Sequence, residues 1–290
     1  LEEAMKTIGA IVNVRKPEAA DTLKRLVVKS KALGLKLLVT ADAAALLHNL
    51  KPVSENELLD KSEALIVLGG DGTMLGAVRS LAGRVTPLLG VNIGSLGFMT
   101  SVPEEELESA LAALVAGHCT LETRSLMACH LQPAEGAAHT FQALNELAIG
   151  WGATSKMVTL EVTVDDEPVT AYACDGMIIA TPTGSTGHSL SAGGPLLHPQ
   201  TPAFIVTVIC PHTLSTRPLV VADSSVIGIR VSNAPKQLLF SCDGQEHPLC
   251  QGDRLEVRRS PSQVCFAHLP GYSYFAVLRQ KLHWRGSSLL

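Results

Sequence analysis

Gly69-Gly70-Asp71-Gly72-Thr73 joins an unbroken apolar run, Ala64–Leu68, to a segment with helical spacing. Glycines there let the backbone approach a ligand with no Cβ atoms in the way. A helix starting at that point would aim its free N–H groups and the positive end of its dipole at the same place, which suits phosphate. An aspartate among anion-binding groups repels phosphate, so simple binding gives no reason for Asp71. Phosphoryl transfer gives two, as a base or as a magnesium partner. The plainer alternative is a glycine turn with Asp71 as the helix N-cap.

A second concentration of chemistry follows Asp175-Gly176 and a short strand. Thr181–Pro195 reads TPTGSTGHSLSAGGP, rich in hydroxyls and glycines and free of Asp, Glu, Lys and Arg. Such a segment is poor material for a packed core, and its N–H and hydroxyl groups can surround a polar ligand with neutral hydrogen bonds. A long surface loop is the alternative, although loops of this length in compact domains are usually functional. No G-x-S-x-G surrounds Ser185 or Ser189, which argues against a serine hydrolase. Asn145-Glu146 interrupts the apolar stretch Phe141–Ile149. Side by side in a strand the two would face opposite ways, and a carboxylate with a mixed amide is a natural partner for ribose hydroxyls. A solvated edge strand accounts for the pair equally well.

Neither common nucleotide fingerprint is present. No G-x-x-x-x-G-K-[ST] occurs, and Gly90–Gly97 misses G-x-G-x-x-G because Asn92 stands at the second glycine. The histidines show no H-x-x-x-H spacing, so a protein-bound transition metal is not expected.

The elements that must position these residues change character along the chain. Up to about Leu121, strands (Thr7–Val12, Leu35–Thr40, Ala64–Leu68, Pro87–Val91) alternate with helical segments (Glu18–Leu33, Thr73–Leu81, Pro103–Ala116), the pattern of a parallel sheet covered by helices. Beyond it, short strands recur (Met127–Leu131, Phe141–Ile149, Val158–Val164, Met177–Ala180, Phe204–Ile209, Val226–Val231, Leu238–Ser241, Arg254–Val257 and Val264–His268). Turns such as Asp165-Asp166-Glu167-Pro168 and Gln251-Gly252-Asp253 separate them, which describes an all-β domain. Tyr272–Leu282 reads as helical again and suits packing back onto the first domain.

Length and composition agree. At about 150 residues per domain, 290 residues make two domains, and 46% hydrophobic residues are ordinary for a globular chain. Charged residues are only 17%, against a typical value of about 25%, as expected if the exposed surface is either small or partly taken up by subunit contacts. The net charge of −4 argues against nucleic-acid binding, which favours a basic excess. Seven scattered cysteines without a C-x-x-C pair fit a reduced, cytoplasmic setting, and no apolar run approaches the length of a membrane span.

Taken in order, GGDGT after a strand, NIGSLGF (Asn92–Phe98), Asn145-Glu146, Asp175-Gly176 with TPTGST and SLSAGGP, PHTLSTRPLV (Pro211–Val220) and SCDGQ (Ser241–Gln245) resemble the NAD kinase family. The resemblance is to the ATP-dependent bacterial type and runs over nearly the whole chain. A lone GGDG is shared with 6-phosphofructokinases and lipid kinases; six ordered blocks are far more specific.

The resemblance implies transfer of the γ-phosphoryl group of ATP, with Mg2+ or another divalent cation, to the 2′-hydroxyl of the adenosine ribose of NAD, giving NADP and ADP. It implies an α+β, two-domain fold: a Rossmann-like α/β domain (1–122 and 269–290) and an all-β, sandwich-like NAD-binding domain (123–268), the C-terminal segment returning to the first. Asp71 matches the family's catalytic base, and Gly69, Gly70, Gly72 and Thr73 the phosphate-donor loop. NAD contacts carry over to Asp71, Gly72, Phe98, Asn145 and Glu146, with Asp175 on the nicotinamide side. Thr186, Gly187, His188, Ser191 and Gln245 complete them. A homodimer or homotetramer is implied, with NAD between domains and subunits, and neither nucleic acid nor membrane as a partner.

Two departures stand out. Members commonly read TPTGSTAYS, whereas Gly187 and His188 replace the Ala-Tyr pair, giving the dinucleotide a smaller aromatic face. Ala173 stands where several relatives carry arginine or another large residue, so a phosphate or carboxamide contact to NAD is either missing or supplied by Lys156. Two rival functions are less economical. A lipid or sugar kinase leaves Asn145-Glu146 and the TPTGST segment without a task, and a dinucleotide sensor gains nothing from Asp71.

Overall fold

The structure is a computed structural model that describes residues 5–94, 97–150, 157–213, 216–235 and 238–284. The chain forms two compact units, Leu1–Thr123 with Val264–Leu290, and Arg124–Gln263.

The first unit begins with β1 (Thr7–Val12), α1 (Ala19–Ala32), β2 (Lys36–Val39), α2 (Ala41–Ala44) and α3 (Glu55–Lys61). It continues through β3 (Ala64–Gly69), α4 (Asp71–Leu81), β4 (Leu88–Asn92), β5 (Val102–Pro103) and α5 (Leu107–Val115). The strands pair in parallel in the order β2-β1-β3-β4. Every residue of β3 and β4 is buried, as continuous apolar runs require when helices cover both faces of a sheet. One face packs Ile8, Ala10, Ile66 and Leu68 against Leu23 and Leu26 of α1 and Leu107 and Leu111 of α5. Each such leucine contributes roughly 1.5–3 kcal/mol. On the other face α3 comes so close that a Cβ on Gly9 would lie 2.6 Å from Ser62 Oγ and 2.8 Å from the Leu58 side chain.

The second unit is built of strands. In order they are β6 (Thr120–Gln132), β7 (His139–Ala143), β8 (Glu146–Ile149), β9 (Val158–Val164), β10 (Glu167–Cys174) and β11 (Gly176–Ala180). After α6 (His188–Ser191) come β12 (Ala203–Ile209), β13 (Leu219–Ala222), β14 (Ile227–Asn233), β15 (Leu238–Cys242), β16 (Gln245–Leu249) and β17 (Arg254–His268). One antiparallel sheet runs β13-β12-β11-β8-β15-β16, and β10-β9-β14-β17 forms the other layer, with β6 and β7 paired beside it. Between the layers, Leu160, Val162, Ile229 and Leu255 meet Leu147, Ile149, Met177, Val206 and Phe240, the interdigitated core of a sandwich. The far end of β17 belongs to the first unit, where Phe266 pairs with Leu88, and α7 (Tyr274–Lys281) follows it behind an N-cap at Ser273.

Several expectations from sequence are corrected. Phe141–Ile149 is not one strand: β7 and β8 lie in different sheets, and Leu144-Asn145 makes the crossing. Arg254–Val257 and Val264–His268 are one long strand, because Ser260 Oγ accepts from Ser262 N (3.1 Å) and Gln142 Nε2 (2.9 Å) and carries the chain past the exposed Pro261. β10, β13 and β16 lie outside the strands expected from sequence; their polar or half-exposed residues hide the alternation. Thr181–Pro195 is not an open loop either. A 3-10 turn (Thr183–Thr186) and α6 fold it over the outer face of the second sheet, where Ala192 and Leu197 cover Ile178 and Ala180. Among the described residues no helix is long and apolar enough to cross a membrane.

Candidate active site

In the first unit β3 ends at Gly69, and α4 starts at Asp71 with Gly70, not Asp71, as its N-cap. The N-cap alternative for Asp71 is therefore excluded. Its carboxylate instead accepts from the N–H groups of Phe98 (Oδ2, 2.9 Å) and Met99 (Oδ1, 2.9 Å). Gly97 makes this possible, since a Cβ there would overlap Asp71 Oδ1. Two backbone bonds thus fix the carboxylate, and each oxygen keeps a further lone pair. Asn92, which spoils the G-x-G-x-x-G match, is buried and donates from Nδ2 to Gly94 O (2.7 Å), holding the turn that leads towards Phe98.

The glycines of this loop divide by task. A Cβ on Gly69 would strike the Thr73 side chain, whose Oγ1 accepts from Gly70 N at 3.4 Å. At Gly70 and Gly72 an added Cβ would meet no atom of the described residues within 4 Å, chain neighbours and the helix's own backbone aside. What those two leave clear is the approach from solvent to the first turn of α4, whose leading N–H groups have no intrahelical acceptor.

In the second unit, Asn145 and Glu146 stand at the start of β8, between β11 and β15 in the interior of a sheet, so an edge strand is excluded. Asp243 clamps their backbone, accepting from Leu144 N (Oδ2, 2.7 Å), Asn145 N (Oδ1, 2.9 Å) and Glu146 N (Oδ1, 3.2 Å). On the other side Thr181 N donates to Asn145 O at 2.9 Å, and Gly184 lies so close that a Cβ would overlap that oxygen. The hydroxyls of Thr181, Ser185, Thr186 and Ser189 are spent on Leu144 O, Pro182 O, Thr183 O and Thr207 Oγ1. They shape the segment more than they line a ligand surface.

This scaffold presents two buried acceptors, Asn145 Oδ1 and Glu146 Oε2, that have no hydrogen-bond partner among the described residues. The other oxygen, Glu146 Oε1, lies 2.6 Å from His188 Nδ1. Burial pushes the Glu146 carboxyl above the usual range; the His188 contact opposes this and the nearby Asp243 charge adds to it. Gly187 borders the free oxygen, since a Cβ on it would stand 3.0 Å from Oε2.

The residues singled out from sequence fall into three places. Gly69, Gly70, Asp71, Gly72, Thr73 and Phe98 share the end of the parallel sheet, and Lys281 Nζ lies 5.5 Å from the centre of the Phe98 ring. Asn145, Glu146, Thr186, Gly187, His188 and Gln245 gather at one end of the second sheet, with Gln245 exposed beside the Asp243-Gly244 turn and Ser191 exposed at the end of α6. Asp175 lies at the opposite end: Ala180 pairs with Glu146, while Asp175 precedes the first residue of β11. Five residues of strand, roughly 17 Å, separate the two levels. Lys156 lies outside the described residues. Sequence reasoning missed Asp243 and also Arg124, a buried guanidinium whose Nη1 donates to Thr183 Oγ1 at 3.4 Å. An Asp-Gly pair between two strands signalled the hairpin turn that carries Asp243, where both residues adopt positive φ.

Comparison with known proteins agrees at every level. Residues 8–119 match the ATP-NAD kinase N-terminal domain and residues 144–269 the ATP-NAD kinase C-terminal domain. The NAD kinase of Azotobacter vinelandii is 37% identical over 99% of this chain and 98% of its own. Yeast NADH kinase complexed with NADH superposes with a TM-score of 0.91 at 25% identity, covering 100% of this chain and 91% of that one. An NAD kinase from Archaeoglobus fulgidus in complex with ATP gives 0.75 at 26% identity, over 97% and 99% of the two chains. With both of its domains matched and relatives alike along its length, the chain belongs to the NAD kinase family.

Proposed function

We propose that the chain phosphorylates the 2′-hydroxyl of the adenosine ribose of NAD with ATP, Asp71 acting as the general base. The observation that carries this is the pair of buried, unpartnered acceptors, Asn145 Oδ1 and Glu146 Oε2. Leaving such atoms without a donor costs about 1–3 kcal/mol each, and a ligand that donates hydroxyls to them removes that cost. A ribose fits, and the other groups assigned to NAD (Asp71, Gly72, Phe98, Thr186, Gly187, His188, Ser191 and Gln245) are read with it.

An alcohol has a pKa far above 7, so a fixed carboxylate that takes its proton as the phosphoryl group arrives contributes roughly 10²–10⁴ in rate. Asp71 suits that role because backbone bonds hold it in place while its outer lone pairs stay available. The loop Gly69–Thr73 receives the donor, since Gly70 and Gly72 leave room for phosphate against the N–H groups of α4. In this reading the divalent cation arrives with the donor as MgATP. There it neutralises phosphate charge.

The α/β domain (1–122 and 269–290) thus carries the donor, and the β-rich domain (123–268) the dinucleotide. We take the active form as a homodimer or homotetramer: Asp175 lies at the far end of the β8–β11 pair from Glu146, so a nicotinamide-side contact from it is best supplied to the site of another copy. A cytoplasmic setting fits cysteines that are all free.

The test is an end-point assay with purified protein, MgATP and NAD, reading NADP with an NADP-specific dehydrogenase, wild type beside Asp71→Asn. NADP from the wild type and almost none from the variant is the expected result. No NADP from the wild type, with NAD still raising its melting temperature, would favour a dinucleotide sensor.

A further inference from the structure

We propose that Lys16 binds the phosphate chain of the donor, its ammonium closing the site over the Gly69–Thr73 loop. The proposal rests on the phosphotransfer function above and adds a charged residue to its donor side.

Lys16 sits in the turn between β1 and α1, where its N–H donates to Asn13 O (3.1 Å) and its carbonyl accepts from Ala19 N (3.1 Å). Asn13 N donates to Leu68 O (2.9 Å), tying this turn to the end of β3, and Ile93 N donates to Gly69 O (2.9 Å), tying the turn after β4 to the same place. The three turns therefore form one surface at the carboxyl ends of the parallel strands. In open α/β sheets ligands bind at those ends, at the point where strand order reverses. With the order β2-β1-β3-β4, that point lies between β1 and β3.

The side chain of Lys16 does not turn away from this surface. Its Nζ lies 3.2 Å from where a Cβ on Gly94 would be, in the turn after β4. Since β3 lies between β1 and β4, a side chain rooted after β1 and ending at Gly94 crosses the end of β3, where Gly69 and Gly70 begin the donor loop. Gly94 itself adopts φ +103°, and Asn92 Nδ2 holds its carbonyl at 2.7 Å. Gly94, beside which the ammonium stands, is thus held in place.

Charge points the same way. Lys16 is only half-exposed and makes no ion pair or side-chain hydrogen bond among the described residues. A polyphosphate entering the loop meets N–H groups and the Asp71 carboxylate, whose charge opposes it. A lysine, as a compact point charge, offsets that repulsion and binds phosphate without demanding one orientation. Lys16 reaches across the end of β3, where the loop given above to the donor begins, so the contact is assigned to the donor.

The experiment compares Lys16→Met, Lys16→Gln and Lys16→Arg with wild type by steady-state kinetics, varying MgATP and NAD separately. A lost charge-assisted contact predicts that KM for MgATP rises about ten- to a hundredfold in Lys16→Met. KM for NAD should stay within about twofold, and Lys16→Arg should recover most of the loss. An unchanged KM for MgATP, or a rise confined to NAD, would overturn the assignment. If Lys16→Met does not fold, Lys16→Gln carries the same comparison. If the wild type makes no NADP, the proposed function fails on its own terms. Equilibrium binding of MgATP then decides Lys16: a tenfold weaker Kd in the variant supports it, and equal affinity refutes it.

Discussion

The two glycine-bearing segments of this protein look alike as text and differ in construction. In Gly69–Thr73, the glycines at 70 and 72 face open space and the protein has no packing use for their missing side chains. In Thr181–Pro195, Gly184 is pressed on Asn145 O and Gly194 on Ser189, and most of the hydroxyls bond to neighbouring backbone or to one another. The first segment keeps room for a ligand; the second is a scaffold that holds Asn145 and Glu146 against the pull of water. Gly70 and Gly72 in the first should matter only when ligand is present, and Gly184 and Gly194 in the second should matter to the fold itself.

The largest effect expected is on turnover in Asp71→Asn. Loss of the base should cut kcat by about 10²–10⁴ while NAD still protects the fold on heating. A parallel loss of NAD binding and turnover would overturn the base assignment, since Asp71 would then act through NAD binding alone.

Next comes the contrast between glycines. Gly184→Ala should destabilise by about 1–3 kcal/mol, because the new methyl meets backbone that cannot move aside, and thermal melting without ligand should reveal it. Gly72→Ala should leave melting unchanged or slightly raised, alanine being the better helix former by about 1 kcal/mol, yet weaken donor binding. If both variants melt alike, the contrast fails.

Asp243→Ala tests the scaffold from its other side. Three backbone N–H groups lose their acceptor, so melting should drop and KM for NAD should rise, with KM for MgATP nearly unaffected. The two KM values, measured separately, check it.

The smallest effect is the pH dependence of NAD affinity. Burial raises the Glu146 carboxyl, with His188 opposing and Asp243 adding to the shift. Protonation removes an acceptor for ribose hydroxyls, so affinity present above that raised pKa should decline as pH falls through it. The ligand-free fold should respond in the opposite sense. A carboxyl raised above its unfolded value contributes stability below the unfolded pKa, and that contribution is lost as pH rises through the folded one. His188→Tyr removes the opposing contact and should move the loss of NAD affinity to higher pH. A flat affinity between pH 5.5 and 8 in both proteins would discard the coupling.

Much of this architecture is legible in the order of residues. The glycine loop between an apolar run and a helix, the change from alternating elements to short strands near Leu121, and the returning C-terminal helix are local patterns that burial and turn chemistry impose directly. The strand break at Leu144-Asn145 is not legible, because apolar residues continue through it and only Asp243, almost a hundred residues away, accounts for it. β10 and β13 escape for a related reason: their exposed residues carry no alternation to read.

What the sequence by itself determined is the family, the two kinds of domain, and the residue types available for phosphate and ribose, since these depend on composition, order and short-range spacing. Only the tertiary structure decided which groups stay free. It put both Asp71 oxygens on the amides of Phe98 and Met99, engaged the hydroxyls of the TPTGST segment, and left Asn145 Oδ1 and Glu146 Oε2 buried without a hydrogen-bond partner among the described residues. It also carried Lys16 across the end of β3 to Gly94. The physical reason is that a hydrogen bond or a charge contact depends on distances between segments remote in sequence, and those distances exist only once the strands have paired.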